Sequence, residues 1–169
     1  EKATRRLPPA WTVIGDANFG VFSVAYGGQQ SDHPVLLRLT SARAKCLAGQ
    51  DLQDGMDRPV VWKPSRDDRR SNPGLAADAC VRGRLIVRQV QPDNGAAPFL
   101  LALFVTLSCA VSEILELYGQ RWNIETDLRT LKTHLRLEQL TCSTPDMAAK
   151  DIEMSIAAYN VVRALICLA

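Results

Sequence analysis

Apolar and polar positions along the chain follow two rhythms, and the places where one gives way to the other predict the elements. Val13 and Ile14 form a short apolar run that stops at Gly15 and Asp16, so a strand ends with an acid at its C-terminal end. VFSVAYGGQQ suits a short helix closed by Gly27 and Gly28, and PVLLRLT reads as a strand in which Leu36, Leu37 and Leu39 are buried. Strand, helix, strand predicts a parallel α/β unit. From about residue 43 to 108 the character changes: DGMDRP and SRDDRRSNPG are charged and turn-rich, while VVW, RLIVRQV and FLLALFVT read as strands. Ser112 is placed to cap a long helix from Glu113 to Leu137, and Pro145 marks a break. A last helix, Met147 to Leu168, is apolar at Ile152, Ile156, Tyr159, Val162 and Ile166, which predicts that it packs on the domain as a lid or brace.

Composition sharpens this picture only a little. The 169 residues, 47% of them hydrophobic, suffice for one sizeable domain or one domain with an insertion. Twenty basic and 18 acidic residues leave a formal charge of +2, so any basic surface must come from local arrangement. The five cysteines are scattered without metal-ligand spacing, the reading of a reduced, cytoplasmic protein. Phe99 to Val111 falls well short of the roughly 20 residues that cross a bilayer, and no secretory pattern opens the chain. The first residue is not methionine and the last apolar segment runs to the end, as in an excerpt from a longer protein.

The segment LYGQRWNIETDLRTLK carries the candidate chemistry. On a continuous helix with Tyr118 at zero, Arg121 falls near 300°, Glu125 near 340° and Lys132 near 320°. These four share one stripe, beside an apolar stripe of Leu117, Ile124, Leu128, Leu131 and Leu135. A carboxylate among donors suits phosphoryl transfer: the acid holds a divalent cation while arginine, lysine and a phenol bond phosphate oxygens. The plain alternative is a charged helix edge with Arg121 and Glu125 as an i,i+4 pair.

Tyr118, two residues, Arg121, three residues, Glu125, six residues and Lys132 resemble the Tyr-Arg-Glu-Lys signature of bacterial insertion-sequence transposases of the DDE class. ELYGQRWNIETDLRTLKTHLRLEQL and AAYNVVRAL look like that family too; VIGDANFG resembles its segment bearing the second catalytic aspartate, and HPVLLRLTSARA the strand that follows. The resemblance implies an α/β, RNase H-like core over residues 1–42, a β-rich insertion over 43–108, and a signature helix with C-terminal helices over 109–169. It implies that Asp16 and Glu125 are the second and third catalytic acids and the ligands of Mg²⁺ or Mn²⁺, and that Tyr118, Arg121 and Lys132 bind DNA. The expected partners are transposon ends and target DNA, with a homo-oligomer in the active complex and no membrane. The first aspartate of the family is expected upstream of Asp16, yet the ten residues before Trp11 contain no Asp, so the piece alone is expected to be inactive.

Other readings stand beside these. Asp16 taken alone suits a turn or a helix cap. Trp62 suits either a half-buried strand position or a stack on an unpaired base. Trp11 and Trp122 are expected to pack, Arg38 to lie at the surface or touch DNA, and Arg66 to Arg70 to form a solvated loop rather than touch a phosphate backbone. A non-catalytic nucleic-acid-binding or interaction module, and an RNase H-like nuclease without transposition, are the alternative functions.

Overall fold

A computed structural model describes residues 11–92, 95–134 and 144–168. The chain forms two compact units, residues 1–118 and 119–169. The first is built on a mixed five-stranded sheet. Its strands are β1 (Val13–Gly15), β2 (Val35–Leu39), β3 (Asp57–Trp62), β4 (Val81–Val90) and β5 (Phe99–Val105), in the spatial order β1-β2-β5-β4-β3. Only β1 and β2 run parallel; the other neighbours are antiparallel. Helix α1 (Phe22–Gln30) makes the β1–β2 crossover, as the strand-helix-strand reading requires.

Alternation along the strands divides the core between the two faces of the sheet. On one face Leu37, Leu39, Leu85, Val87 and Phe104 meet Phe22 and Ala25 of α1 and Ala44 and Ala48 of α2 (Ser41–Ala48). On the other, Leu36, Ile86, Leu103 and Val105 meet Ile114 and Tyr118 of α4 (Val111–Gly119). Covered on both faces, β2 is apolar except at Arg38.

The segment 43–108 supplies most of α2, all of α3 (Arg66–Ser71) and β3 to β5, and its strands extend the sheet begun by β1 and β2. Arg66 to Arg70 are helical, not a loop: Ser65 and Asp68 form a capping box that satisfies the first backbone donors. Gly27 and Gly28 lie inside α1 and do not close it. A Cβ on Gly28 would stand 2.4 Å from Val35 Cγ1, so the glycine serves close packing of helix on strand.

The long helix expected from Glu113 to Leu137 is two helices. α4 ends at Gly119 and α5 (Arg121–His134) begins after Gln120. Gly119 costs about 1 kcal/mol against alanine within a helix, enough to favour an interruption at that point. Leu135 and the residues after it in the expected helix lie outside the described part of the chain, as do the side chains of Ile124, Leu128, Leu131 and Lys132.

In the second unit, α6 (Pro145–Leu168) follows Thr144, whose hydroxyl accepts from Met147 N at 3.3 Å. Its expected inward positions Ile152, Ile156 and Val162 are exposed, Tyr159 is half-buried, and the side chain of Ile166 lies outside the described residues. Among the described residues no helix is long and apolar enough to cross a membrane.

Candidate active site

Asp16 follows directly on β1 and builds the turn that leads to α1. Its Oδ1 accepts from Asn18 N at 2.8 Å and Phe19 N at 3.3 Å, while its carbonyl accepts from Phe19 N at 3.1 Å and Gly20 N at 3.0 Å. Arg43 Nη1 donates to Ala17 O at 3.1 Å and ties the same turn to α2. Glycine is required on both sides. A Cβ on Gly20 would lie 2.0 Å from the Arg38 carbonyl oxygen, and one on Gly15 would lie 2.8 Å from Phe19 Cβ. The turn reading and the ligand reading of Asp16 are compatible, because the turn uses Oδ1 and no described residue bonds Oδ2.

The sheet register sets what lies beside this acid. Gly15, the last residue of β1, pairs with Leu37, so Asp16 follows β1 where Arg38 follows Leu37 on β2. Ile14 packs in the cluster that holds Tyr118, and alternation assigns Asp16 and Arg38 to that same face. Arg38 is half-buried, with its guanidinium 5.4 Å from the centre of the Phe99 ring. Tyr118 is 6% exposed and its hydroxyl oxygen is buried.

In the second unit, Arg121 Nη1 lies 2.7 Å from Glu125 Oε1, the i,i+4 pair that helical spacing permits. The Arg121 guanidinium is also 4.8 Å from the centre of the Trp122 ring. Arg121 is largely covered, at 14% side-chain exposure, whereas Glu125 is 46% exposed. Arg121 and Glu125 lie one turn apart on α5 and Lys132 belongs to the same helix, while Tyr118 belongs to α4. No described residue bonds the second oxygen of Glu125.

Asp16 and Glu125 thus each keep one carboxylate oxygen outside the local hydrogen bonds. Hard oxygen donors of this kind fit Mg²⁺ or Mn²⁺. Among the described residues no cluster of three or more His, Cys, Asp or Glu side chains is assembled.

The remaining tryptophans are settled by their surroundings. Trp62 packs edge-on against Phe104 at 5.0 Å and Phe22 at 6.3 Å, a half-buried strand residue. Trp11 and Trp122, expected to pack, are 58% and 61% exposed. Sequence reading passed over Phe19, which is 61% exposed in the turn that Asp16 holds; its signal is an aromatic residue where turns ordinarily carry small polar ones.

The first unit is a mixed α/β fold in which Asp16 follows the parallel strand β1, and in the second unit α5 carries Arg121, Glu125 and Lys132. The chain matches the family model described as the transposase DDE domain over residues 29–161, and it belongs to that family. The match includes Tyr118, Arg121, Glu125 and Lys132; Asp16 lies before it. No curated protein matches the chain significantly.

Proposed function

We propose that this chain is catalytic-domain sequence of a DNA transposase with an RNase H-like core, and that the intact enzyme cuts and joins DNA strands by metal-dependent phosphoryl transfer. The family match across the helix bearing Arg121, Glu125 and Lys132 carries the reading. Asp16 and Glu125 are the proposed ligands of Mg²⁺ or Mn²⁺. When bound, the cations supply Lewis-acid activation of the attacking oxygen and offset charge on the phosphoryl group.

The chain's own residues do the positioning. The Asp16 turn, fixed by the backbone donors of Asn18 and Phe19, holds its carboxylate at the end of β1. Arg121 orients Glu125 through their 2.7 Å contact. Arg121 and Lys132 bond phosphate oxygens beside the scissile bond and read no base sequence. Tyr118 is the third proposed phosphate-binding residue. The partners are transposon ends and target DNA, handled by a homo-oligomer in the cytoplasm.

The test is Mg²⁺- or Mn²⁺-dependent cleavage of DNA by the full-length transposase carrying this domain. Glu125→Gln is expected to lower cleavage at least about a thousandfold while leaving DNA binding intact, as loss of a metal-binding charge predicts. Cleavage at the wild-type rate removes Glu125 from the mechanism. Lys132→Ala separates a transposase from a plain nuclease: it is expected to weaken DNA-end binding and flatten its salt dependence. Unchanged binding favours the nuclease.

A further inference from the structure

We infer that Arg38 binds a phosphate of the DNA backbone beside Asp16, with the Phe99 ring supporting its guanidinium. The inference rests on the proposed function, and it gives the sheet unit a phosphate contact of its own, separate from the residues on α5.

Arg38 lies on β2, an interior strand between β1 and β5, flanked by Leu37 and Leu39 at 0% and 3% exposure and paired with the fully buried Leu103. Its side chain is half-buried and its guanidinium is 5.4 Å from the centre of the Phe99 ring; among the described residues nothing accepts a hydrogen bond from it or forms an ion pair with it. Comparable cations are engaged: Arg84 by Asp57 and the Cys109 carbonyl, Arg88 by the Met56 and Val87 carbonyls, and Arg121 by Glu125. Arg58 is half-buried without a bond as well, but it lies on β3, the strand at the edge of the sheet. A charge drawn partly out of water is ordinarily paired, because desolvating it alone is unfavourable. The partner of Arg38 is therefore an anion supplied from outside the chain. Its place identifies that anion. The Asp16 turn rests on the main chain of Arg38, where a Cβ on Gly20 would lie 2.0 Å from the carbonyl oxygen. Asp16 and Arg38 form no ion pair, so each stays available to a ligand. The planar fork of an arginine matches two phosphate oxygens, and a guanidinium held over a ring has little freedom left to lose on binding.

The experiment measures binding of DNA ends by the full-length transposase carrying this domain, without metal and at several salt concentrations. The duplexes carry an uncharged methylphosphonate in place of one phosphate at a time. Arg38→Met keeps an apolar stem beside Phe99 and removes the charge. It is expected to bind about tenfold more weakly, the scale of one charge-assisted contact, with a log–log salt slope reduced by about 0.9. One methylphosphonate position is expected to weaken wild type about tenfold and leave Arg38→Met unaffected, the same scale read at a single phosphate. Arg38→Lys is expected to keep the wild-type slope. The urea midpoint of Arg38→Met is expected not to fall, because the charge removed has no partner in the fold. An unchanged slope or the same set of sensitive phosphates in Arg38→Met overturns the inference, as does a flattened slope in Arg38→Lys or a lowered urea midpoint in Arg38→Met. Absence of DNA binding by wild type overturns it together with the proposed function. Because the assay contains no metal and reads no cleavage, it is separate from the Glu125→Gln experiment: a phosphate sensitivity lost with Arg38 stands even if Glu125 proves dispensable, and metal-dependent cleavage stands if Arg38 proves indifferent.

Discussion

The two proposed acids are held by different means. Asp16 sits in a unit whose sheet is covered on both faces, at a turn defined by two glycines, the Arg38 carbonyl and a bond from Arg43 of α2. Glu125 sits on a helix that presents it by local spacing, with Arg121 one turn away as its described partner. One position depends on contacts between residues distant in sequence, the other on a repeat of about 3.6 residues. Perturbing the sheet should therefore move Asp16 and leave Glu125 in place, and the reverse should hold for α5.

The sharpest separation comes from Phe104, which is fully buried at the centre of one core and packs against Trp62. Phe104→Ala is expected to destabilise the sheet unit by about 3–5 kcal/mol in urea unfolding. Next is Gly20→Ala, where the new methyl meets a main-chain oxygen and not a flexible side chain. It is expected to cost about 2 kcal/mol and to impair cleavage beyond that loss of stability, because relief of the clash displaces the Asp16 turn.

A smaller effect is expected at the Asp57–Arg84 pair between β3 and β4. Arg84 donates through Nε to Oδ1 at 3.1 Å and through Nη2 to Oδ2 at 2.7 Å, and its Nη1 reaches Cys109 O at 2.8 Å ahead of α4. With both side chains about a third exposed or less, Asp57→Ala is expected to cost about 1 kcal/mol. The hydrogen bonds from Arg84 hold the Asp57 carboxyl below its ordinary 3.8. The folded-state value is the depressed one, so the contribution is complete above that ordinary value and is lost as the pH falls through the lowered one. Acid unfolding of wild type and Asp57→Ala should therefore converge at low pH; a constant gap shows that the pair is not the source. The smallest effect belongs to α6. Val162 is 54% exposed, and Val162→Ala is expected to change stability by less than about 0.5 kcal/mol.

The same contrast explains which elements could be read from the chain. The strand-helix-strand start and the strands near VVW, RLIVRQV and FLLALFVT were legible because burial on one or two faces leaves a short-range apolar signature. The capping box at Ser65 and Asp68 was overlooked because a run of charges resembles a loop until reciprocal side-chain bonds are considered. The interruption at Gln120 was overlooked because the apolar spacing continues across Gly119, and periodicity alone does not register the low helix propensity of one residue. The exposure of Phe19 leaves no periodic trace at all.

By itself the sequence determined the residue types, the spacing that resembles the four-residue signature and the pairing of Arg121 with Glu125, since side chains one turn apart meet on any helix that forms. Tertiary structure decided that the strands of residues 43–108 join one sheet with β1 and β2, that Gly15 at the end of β1 pairs with Leu37, and that Phe19 remains uncovered in the turn that follows. Strand order and register come from pairing between distant segments and from which face each side chain buries, and neither is fixed by the neighbours of a residue along the chain.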